Sequence, residues 1–223
     1  MNIKKIIEDT VENERYKSWN FCYSFFQNNI IDKKFDDKTK DHAALMLGFY
    51  LASWGMYRGS SRLLLKHSYD IHLEAIDIIN DNRDNIKNCY NKLNNYYKHK
   101  KVSPTDTLIT KIMLGTLGNV PAYDRLFKVG IKLINQAYGI KLSQTFSVEN
   151  LEKISEFFTN RNTTALQEQN SEAVNIIKNV NDYYNPKFFS TQLTEKYPKA
   201  KEIDIYFWNI GLVKEIIDKE KKK

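Results

Sequence analysis

The sequence predicts an all-α fold, and three observations support this prediction. Apolar residues recur at helical spacing along most of the chain, as at Ile3, Ile7 and Val11. No stretch alternates apolar and polar residues for long enough to predict a strand. Only 8 glycines and 4 prolines occur in 223 residues, which disfavours an all-β fold because such folds need many tight turns. We therefore expect one multi-helix domain over residues 1–223, two-lobed if a subdomain seam lies near residues 160–181.

The first half of the chain predicts its helices in order. A long N-terminal helix leads into the aromatic cluster at residues 19–26. After a polar connection, Asp37 or Thr39 is expected to cap a second helix that runs to about Tyr57. This helix is apolar nearly all round, which is typical of a helix in the middle of a bundle. Further helical patterns cover residues 62–66, 69–79 and 84–97.

In the second half, capping residues and glycines predict where helices begin and end. Ser103 caps a helix whose first residue is Pro104, and Gly118 ends it. Pro121 starts the next helix, and Gly139 ends it. The remaining helices are expected from Ser147, as the cap, to Phe158, over about residues 163–180, and near residues 199–219.

The overall charge is basic, with 34 Lys and Arg against 27 Asp and Glu, a formal net charge of +7. A basic balance favours polyanionic partners such as nucleic acid, because lysines and arginines neutralise phosphates. A solvated, lysine-rich surface explains the same composition. Cys22 and Cys89 lie far apart in helical patterns, which indicates reduced, buried thiols rather than a disulfide framework.

Two further features predict a soluble, cytoplasmic protein with no membrane segment. The N-terminus is too charged for a signal peptide. The longest uncharged run, residues 43–57, is shorter than the roughly 20 residues that a membrane span needs. The sequence also implies no cofactor and no metal, since its four histidines do not form metal-binding spacings with acidic residues.

The stretch TDTLITKIMLGTLGNVPAYDRLF, residues 105–127, is the most informative for function. Residues 118–120 separate two predicted helices, so Lys111 and Asp124 each lie within about two turns of a short loop. A lysine partly removed from water can act as a nucleophile. An aspartate in the first turn of a helix is favoured as an anion by the helix dipole. We expect both side chains to face one groove, where they form either a catalytic pair or an ordinary ion pair between helices.

This stretch also resembles a known family. Thr110 and Lys111 on one helix, followed by Val-Pro-Ala-Tyr-Asp at residues 120–124, resemble the core of helix-hairpin-helix DNA glycosylases, especially the 8-oxoguanine glycosylase-like bacterial branch. The resemblance covers about twenty residues, and residues 102–105 lack the family's glycine-rich hairpin. It implies that Lys111 attacks the sugar of an extruded, damaged nucleotide and that Asp124 assists.

Side chains suited to contacts with phosphates or bases lie at three places. A serine-rich loop at the expected end of the second helix carries arginines near aromatic residues, although such arginines also satisfy terminal helix carbonyls. A pair of tyrosines precedes the basic run at residues 98–101. The third place adjoins Asp124. The groups expected to bind nucleic acid are Arg58, Arg62, Lys100, Lys101, Tyr123 and Arg125.

These patterns predict a nucleic-acid-binding helical protein that, if catalytic, cleaves the N-glycosidic bond of an extruded base. DNA or another nucleic acid is the expected partner, and the sequence does not identify a protein partner. An alternative is a non-enzymatic helical module that meets a partner protein through an aromatic-rich surface. A third interpretation rests on Arg62 and His67, whose spacing resembles that of HEPN-type ribonucleases.

Overall fold

The structure is a computed structural model that describes residues 14–57, 67–166, 171–183 and 197–222. These residues form helices and the turns that join them, with no strand among them, so the predicted all-α fold class is confirmed. The chain divides between Val120 and Pro121 into two compact units. We call residues 13–120 the N-terminal unit and the chain from Pro121 the C-terminal unit. Residues 160–181, where the sequence suggested a seam, lie inside the C-terminal unit.

The N-terminal unit contains five α-helices and one 3-10 turn in its described part. The turn covers Tyr69–His72. The helices are α1 (Glu14–Asn29), α2 (Asp37–Ser53), α3 (Leu73–Asp81), α4 (Ile86–His99) and α5 (Asp106–Thr116). The predicted helix at residues 62–66 lies outside the described residues.

The caps of two of these helices differ from the prediction. Asp36, not Asp37 or Thr39, caps α2, and its side chain accepts a hydrogen bond from Thr39 N at 2.8 Å. Thr105, rather than Ser103, caps α5. In both cases the capping residue has extended backbone angles, which bring its side-chain oxygen to the amide three residues ahead.

The second helix was expected to run to about Tyr57 and to be buried on all sides, and both expectations are wrong. It stops at Ser53, because Gly55 adopts a left-handed backbone conformation (φ 79°) and Met56 N bonds back to Leu51 O at 2.9 Å. Its apolar surface is also only partly covered by the described residues, since Phe49 is 66% exposed.

The C-terminal unit contains α6 (Arg125–Tyr138), α7 (Val148–Asn160), α8 (Ser171–Tyr183) and α9 (Lys199–Glu220). The expected ends at Gly139, which is left-handed (φ 65°), and at the cap Ser147 are confirmed. Two predicted starts are wrong. Residues 121–124 are not helical, so α6 begins after Asp124, and the helix expected from about residue 163 begins at Ser171.

Two glycines bring α6 and α9 into backbone contact. A Cβ atom on Gly130 would lie 2.1 Å from Phe207 O, and one on Gly211 would lie 2.1 Å from Leu126 O. Later residues of one helix meet earlier residues of the other, so the two helices run antiparallel. At this spacing only hydrogen fits between each Cα and the facing carbonyl, and α9 can therefore pack directly on α6.

The described part of the core also contains polar and sulfur-bearing side chains. His72 is fully buried in the N-terminal unit. Cys22 and Cys89 are free and buried, and burial raises the pKa of both thiols. Among the described residues, no helix combines the length and the apolar character that crossing a membrane requires.

Candidate functional site

Lys111 lies on α5, the most completely buried of the helices described in the N-terminal unit. Every residue from Leu108 to Thr116 is buried, and Lys111 itself is only 4% exposed. Its Nζ atom lies 4.5 Å from the centre of the Trp54 ring. The structure thus joins two features that the sequence presented separately, the lysine of the helix pair and the aromatic group at the end of α2.

The contact with Trp54 gives Lys111 a defined position. A cation over an indole face gains about 2 kcal/mol when both groups are removed from water. Burying an ammonium group is costly unless such partners surround it. Lys111 is therefore held in a fixed place in the core, unlike a surface lysine whose amine moves freely in solvent.

Asp124 belongs to the C-terminal unit, where it caps α6. Its Oδ1 accepts a hydrogen bond from Phe127 N at 3.1 Å. The sequence predicted that Asp124 lies in the first turn of the helix. In the structure Asp124 is the N-cap, the residue directly before the first helical residue, Arg125. A carboxylate there satisfies an otherwise unpaired amide and is favoured by the helix dipole, which together stabilise α6 by about 1 kcal/mol.

The segment before Asp124 is anchored by a buried ion pair that sequence reasoning missed. Lys201 Nζ lies 3.0 Å from Asp204 Oδ2, and both side chains are nearly inaccessible to solvent. The other oxygen of Asp204 accepts a hydrogen bond from Ala122 N at 3.0 Å. The available signal was a lysine and an aspartate three residues apart within the apolar stretch of α9. Asp124 N in turn bonds back to Ala122 O at 2.8 Å, and Asp124 has an extended backbone, so residues 121–124 form a turn before α6.

Tyr123 does not fit its predicted role as a base-stacking residue. It is fully buried in the core, with its ring centre 5.0 Å from that of Phe127 and 5.5 Å from that of Phe146. Its hydroxyl oxygen accepts a hydrogen bond from Asn150 Nδ2 at 3.1 Å. Since both faces of the side chain are enclosed by protein, Tyr123 presents no surface to a nucleotide.

The predicted nucleic-acid contacts of the arginines have different outcomes. Arg125 is at the surface, where it forms an ion pair with Glu215 at 2.6 Å. Arg58 and Arg62 lie outside the described residues, so the arginine-rich loop and the Arg62–His67 spacing both remain predictions.

Lys100 and Lys101 lie at the C-terminal end of α4, and both are exposed. The backbone there closes in two hydrogen bonds, Lys101 N to Lys98 O at 3.0 Å and Val102 N to Tyr97 O at 2.9 Å. This is the motif in which glycine usually takes the left-handed position. Here Lys101 takes it, with φ 58°.

A groove of about 510 Å³ opens beside this helix end. We call it the basic groove, and its charged and aromatic lining residues are Glu74, Lys92, Tyr96, His99 and Lys100. The Tyr96 hydroxyl donates a hydrogen bond to Ile71 O at 2.6 Å, which fixes the ring. Lys100 Nζ lies 5.4 Å from the centre of that ring and 2.8 Å from Glu74 Oε1.

The chain matches no protein-family model, no curated protein and no solved structure. The resemblance to helix-hairpin-helix glycosylases therefore rests on residues 110–124 and stays a prediction.

Proposed function

We propose that the protein binds nucleic acid through the basic groove and the adjoining Lys101. The observation that supports this is the position of a fixed tyrosine ring among exposed lysines. Phosphates attract lysine ammonium groups, and bases stack on aromatic faces, so the combination suits a single-stranded or locally opened polynucleotide. The ring of Tyr96 is held by its bond to Ile71 O, and so little side-chain entropy is lost on binding.

The basic groove keeps a net positive charge even though Glu74 pairs with one of its lysines. Glu74 offsets one lysine, Lys100, while Lys92 also lines the groove and Lys101 follows Lys100 in the chain. The Lys100–Glu74 pair is at the surface, where such pairs contribute at most about 1 kcal/mol. A polyanion that brings several phosphates can displace Glu74 at this small cost.

The backbone at Lys101 provides a second line of support. A residue other than glycine in the left-handed region costs roughly 1–2 kcal/mol. A lysine at this position therefore lowers the stability of the helix end. Such strain is typical of functional positions, and the functional group here is the exposed ammonium of Lys101.

Salt dependence tests the proposal. Binding of fluorescent duplex DNA and of oligothymidylate should weaken as salt rises, because bound lysines release counterions. The double variant Lys100→Gln/Lys101→Gln should reduce the slope of log K against log salt by about 1.8 on the duplex. The double variant Lys33→Gln/Lys34→Gln removes the same charge from another exposed part of the unit and should leave the slope unchanged. An equal loss in both variants would show only a general charge effect.

Lys101→Gly separates stability from binding. Glycine adopts the left-handed conformation without strain, so the variant should be more stable by about 1 kcal/mol in urea unfolding. It should nevertheless bind DNA more weakly, with a slope lower by about 0.9. A variant that is both more stable and equally tight in binding would remove Lys101 from the proposed site.

The finer form of the proposal is base excision, with Lys111 as the nucleophile and Asp124 as the assisting carboxylate implied by the resemblance. It rests on the resemblance over residues 110–124, and the contact with Trp54 gives the Lys111 amine a defined position. With abasic-site DNA, the lysine amine would condense with the sugar aldehyde and release water. Borohydride would then supply hydride to the imine and leave a stable secondary amine between protein and DNA.

Borohydride trapping is expected to give one covalent adduct with abasic-site DNA in the wild type, and none with Lys111→Ala. Lys111→Met keeps a long side chain against Trp54 and should also give no adduct while melting close to the wild type. Lys33→Ala, which alters an exposed lysine, should trap as well as the wild type. If Lys111→Met still forms the adduct, another amine is responsible, and Lys111 is excluded as the nucleophile.

The interaction-module alternative has its own observation in the N-terminal unit. Phe21 on α1 and Phe49 on α2 are 65% and 66% exposed in the described structure. Large exposed aromatic side chains are common at protein–protein contacts. If neither DNA nor oligothymidylate binds with any salt dependence, nucleic-acid binding is excluded, and these two residues become the first to mutate.

A further inference from the structure

A polar cavity of about 440 Å³ lies in the C-terminal unit, apart from the residues considered above. We call it the Arg161 cavity. Its charged and hydrogen-bonding lining residues include Tyr138, Arg161, Thr164, Lys178, Asn181 and Asp182. They come from the ends of α6 and α7 and from the second half of α8.

Arg161 is a half-buried cation with few compensating groups. Its guanidinium carbon lies 4.0 Å from the centre of the Phe158 ring and 5.4 Å from that of Tyr206. One terminal nitrogen donates a hydrogen bond to Phe158 O. The Nε atom is buried and has no hydrogen-bond partner in the described structure. No carboxylate of the described residues forms an ion pair with Arg161.

The electrostatics agree with this geometry. Burial lowers the pKa of Arg161 below its usual value, since the charged form has lost part of its hydration. Burial also raises the pKa of Glu202, although Arg161 is near enough to oppose that rise. Glu202 lies near enough to favour the charged guanidinium, but the two groups form no ion pair in the described structure. A bound anion would supply the missing charge and restore hydrogen bonds to the guanidinium.

Hydrogen bonds to two tyrosines hold Asn181, one of the lining residues, in place. Tyr206 donates a hydrogen bond to Asn181 Oδ1 at 2.7 Å, and Asn181 Nδ2 donates to the Tyr138 hydroxyl oxygen at 3.3 Å. The Tyr138 oxygen accepts the hydrogen bond from Asn181, so the Tyr138 hydroxyl hydrogen remains available for donation to a ligand. Lys178 adds a second, exposed cation, and Asp182 contributes one carboxylate, so the charged lining is net positive.

We propose that the Arg161 cavity binds a phosphate monoester. The guanidinium of Arg161 offers the forked donors that suit phosphate oxygens, and Lys178 and the Tyr138 hydroxyl add two donors. The cavity volume is within the range of small-molecule sites and exceeds what a bare phosphate fills, so it has room for the organic group. Asn181 and Asp182 are suited to hydroxyl groups on that part of the ligand.

The phosphate group has two sources that share this chemistry, a small phosphorylated metabolite and the 5′ end of an oligonucleotide. Calorimetric titration with ribose 5-phosphate and with 5′-phosphorylated oligothymidylate distinguishes them. Each ligand is compared with ribose or with the unphosphorylated oligonucleotide at equal ionic strength. We expect the phosphorylated form of at least one pair to bind tighter by tenfold or more, and the tighter pair identifies the source.

Variants connect the binding to the cavity. Lys178→Gln is exposed and should fold normally while weakening phosphate binding about tenfold. Arg161→Lys keeps the charge but loses the fork, and should weaken binding at least tenfold. Arg83→Gln, which removes an arginine paired with Asp32 in the N-terminal unit, should bind like the wild type. The proposal is overturned if no phosphorylated probe binds better than its control, or if Lys178→Gln and Arg161→Lys both leave the affinity unchanged.

Discussion

Gly130→Ala is expected to destabilise the protein by about 3 kcal/mol, the upper part of the range for overpacking a core. The added Cβ would lie 2.1 Å from Phe207 O, a backbone atom that cannot move aside as a side chain does. Helices α6 and α9 would have to separate, and the contacts along both would loosen. The intrinsic preference of alanine for helix, about 1 kcal/mol, offsets only part of this cost.

Urea unfolding followed by circular dichroism measures this effect, and two further variants show its cause. Gly211→Ala should cost a similar amount, because its Cβ would lie 2.1 Å from Leu126 O. Gly48→Ala in α2 should change the free energy of unfolding by less than about 1 kcal/mol, since the nearest atom would be Tyr69 Cβ at 3.3 Å. Equal losses in Gly130→Ala and Gly48→Ala would contradict the explanation based on close backbone packing.

Acidification is expected to destabilise the protein through His72, by about 3 kcal/mol between pH 7 and pH 4. The imidazole is fully buried, with Nε2 2.7 Å from the Tyr57 hydroxyl and Nδ1 2.7 Å from the Tyr97 hydroxyl. A neutral ring fits this place well, because one nitrogen donates and the other accepts. Burial lowers the pKa of His72 from 6.5 to about 3, opposed in part by Asp70.

The direction of the effect follows from which state binds the proton first. The pKa of His72 is lower in the folded protein, so the unfolded chain takes up a proton at a higher pH than the folded chain. The stability is fully present above about pH 6.5 and is lost progressively as the pH falls towards 3. A pH of 4 lies 2.5 pH units below the ordinary histidine pKa of 6.5. At roughly 1.4 kcal/mol per pH unit, the free energy of unfolding falls by about 3 kcal/mol.

His72→Gln separates this contribution from that of the carboxylates. Glutamine keeps one donor and one acceptor but does not titrate, so its stability should fall less steeply between pH 7 and pH 4. His42→Gln changes an exposed histidine and should follow the wild-type curve. Parallel curves for the wild type and His72→Gln would show that the buried imidazole does not control the acid sensitivity.

The candidate site was predictable from the sequence only in part. Exposed lysines after the tyrosine pair suggested the end of α4, and the structure places Lys100 and Lys101 there at the surface. The sequence predicted that Tyr123 contacts a nucleotide, because Tyr123 adjoins Asp124. This prediction was wrong, since Phe127, Phe146 and Asn150 enclose the Tyr123 side chain. The sequence around Arg161 did not predict a cavity, because the cavity is also lined by Tyr138 and by Lys178, Asn181 and Asp182, which lie about 20 residues away in the chain.

By itself, the sequence determined the helical class, the end of α6 at Gly139 and the cap of α7 at Ser147. Those features depend on hydrogen bonds and backbone angles within about four residues, so neighbouring side chains are enough to encode them. Only the tertiary structure decided that Lys111 lies against Trp54, that Gly130 meets Phe207, and that the guanidinium of Arg161 lines a cavity. Those contacts join residues distant in the chain, and they depend on how whole helices pack, which no local pattern contains.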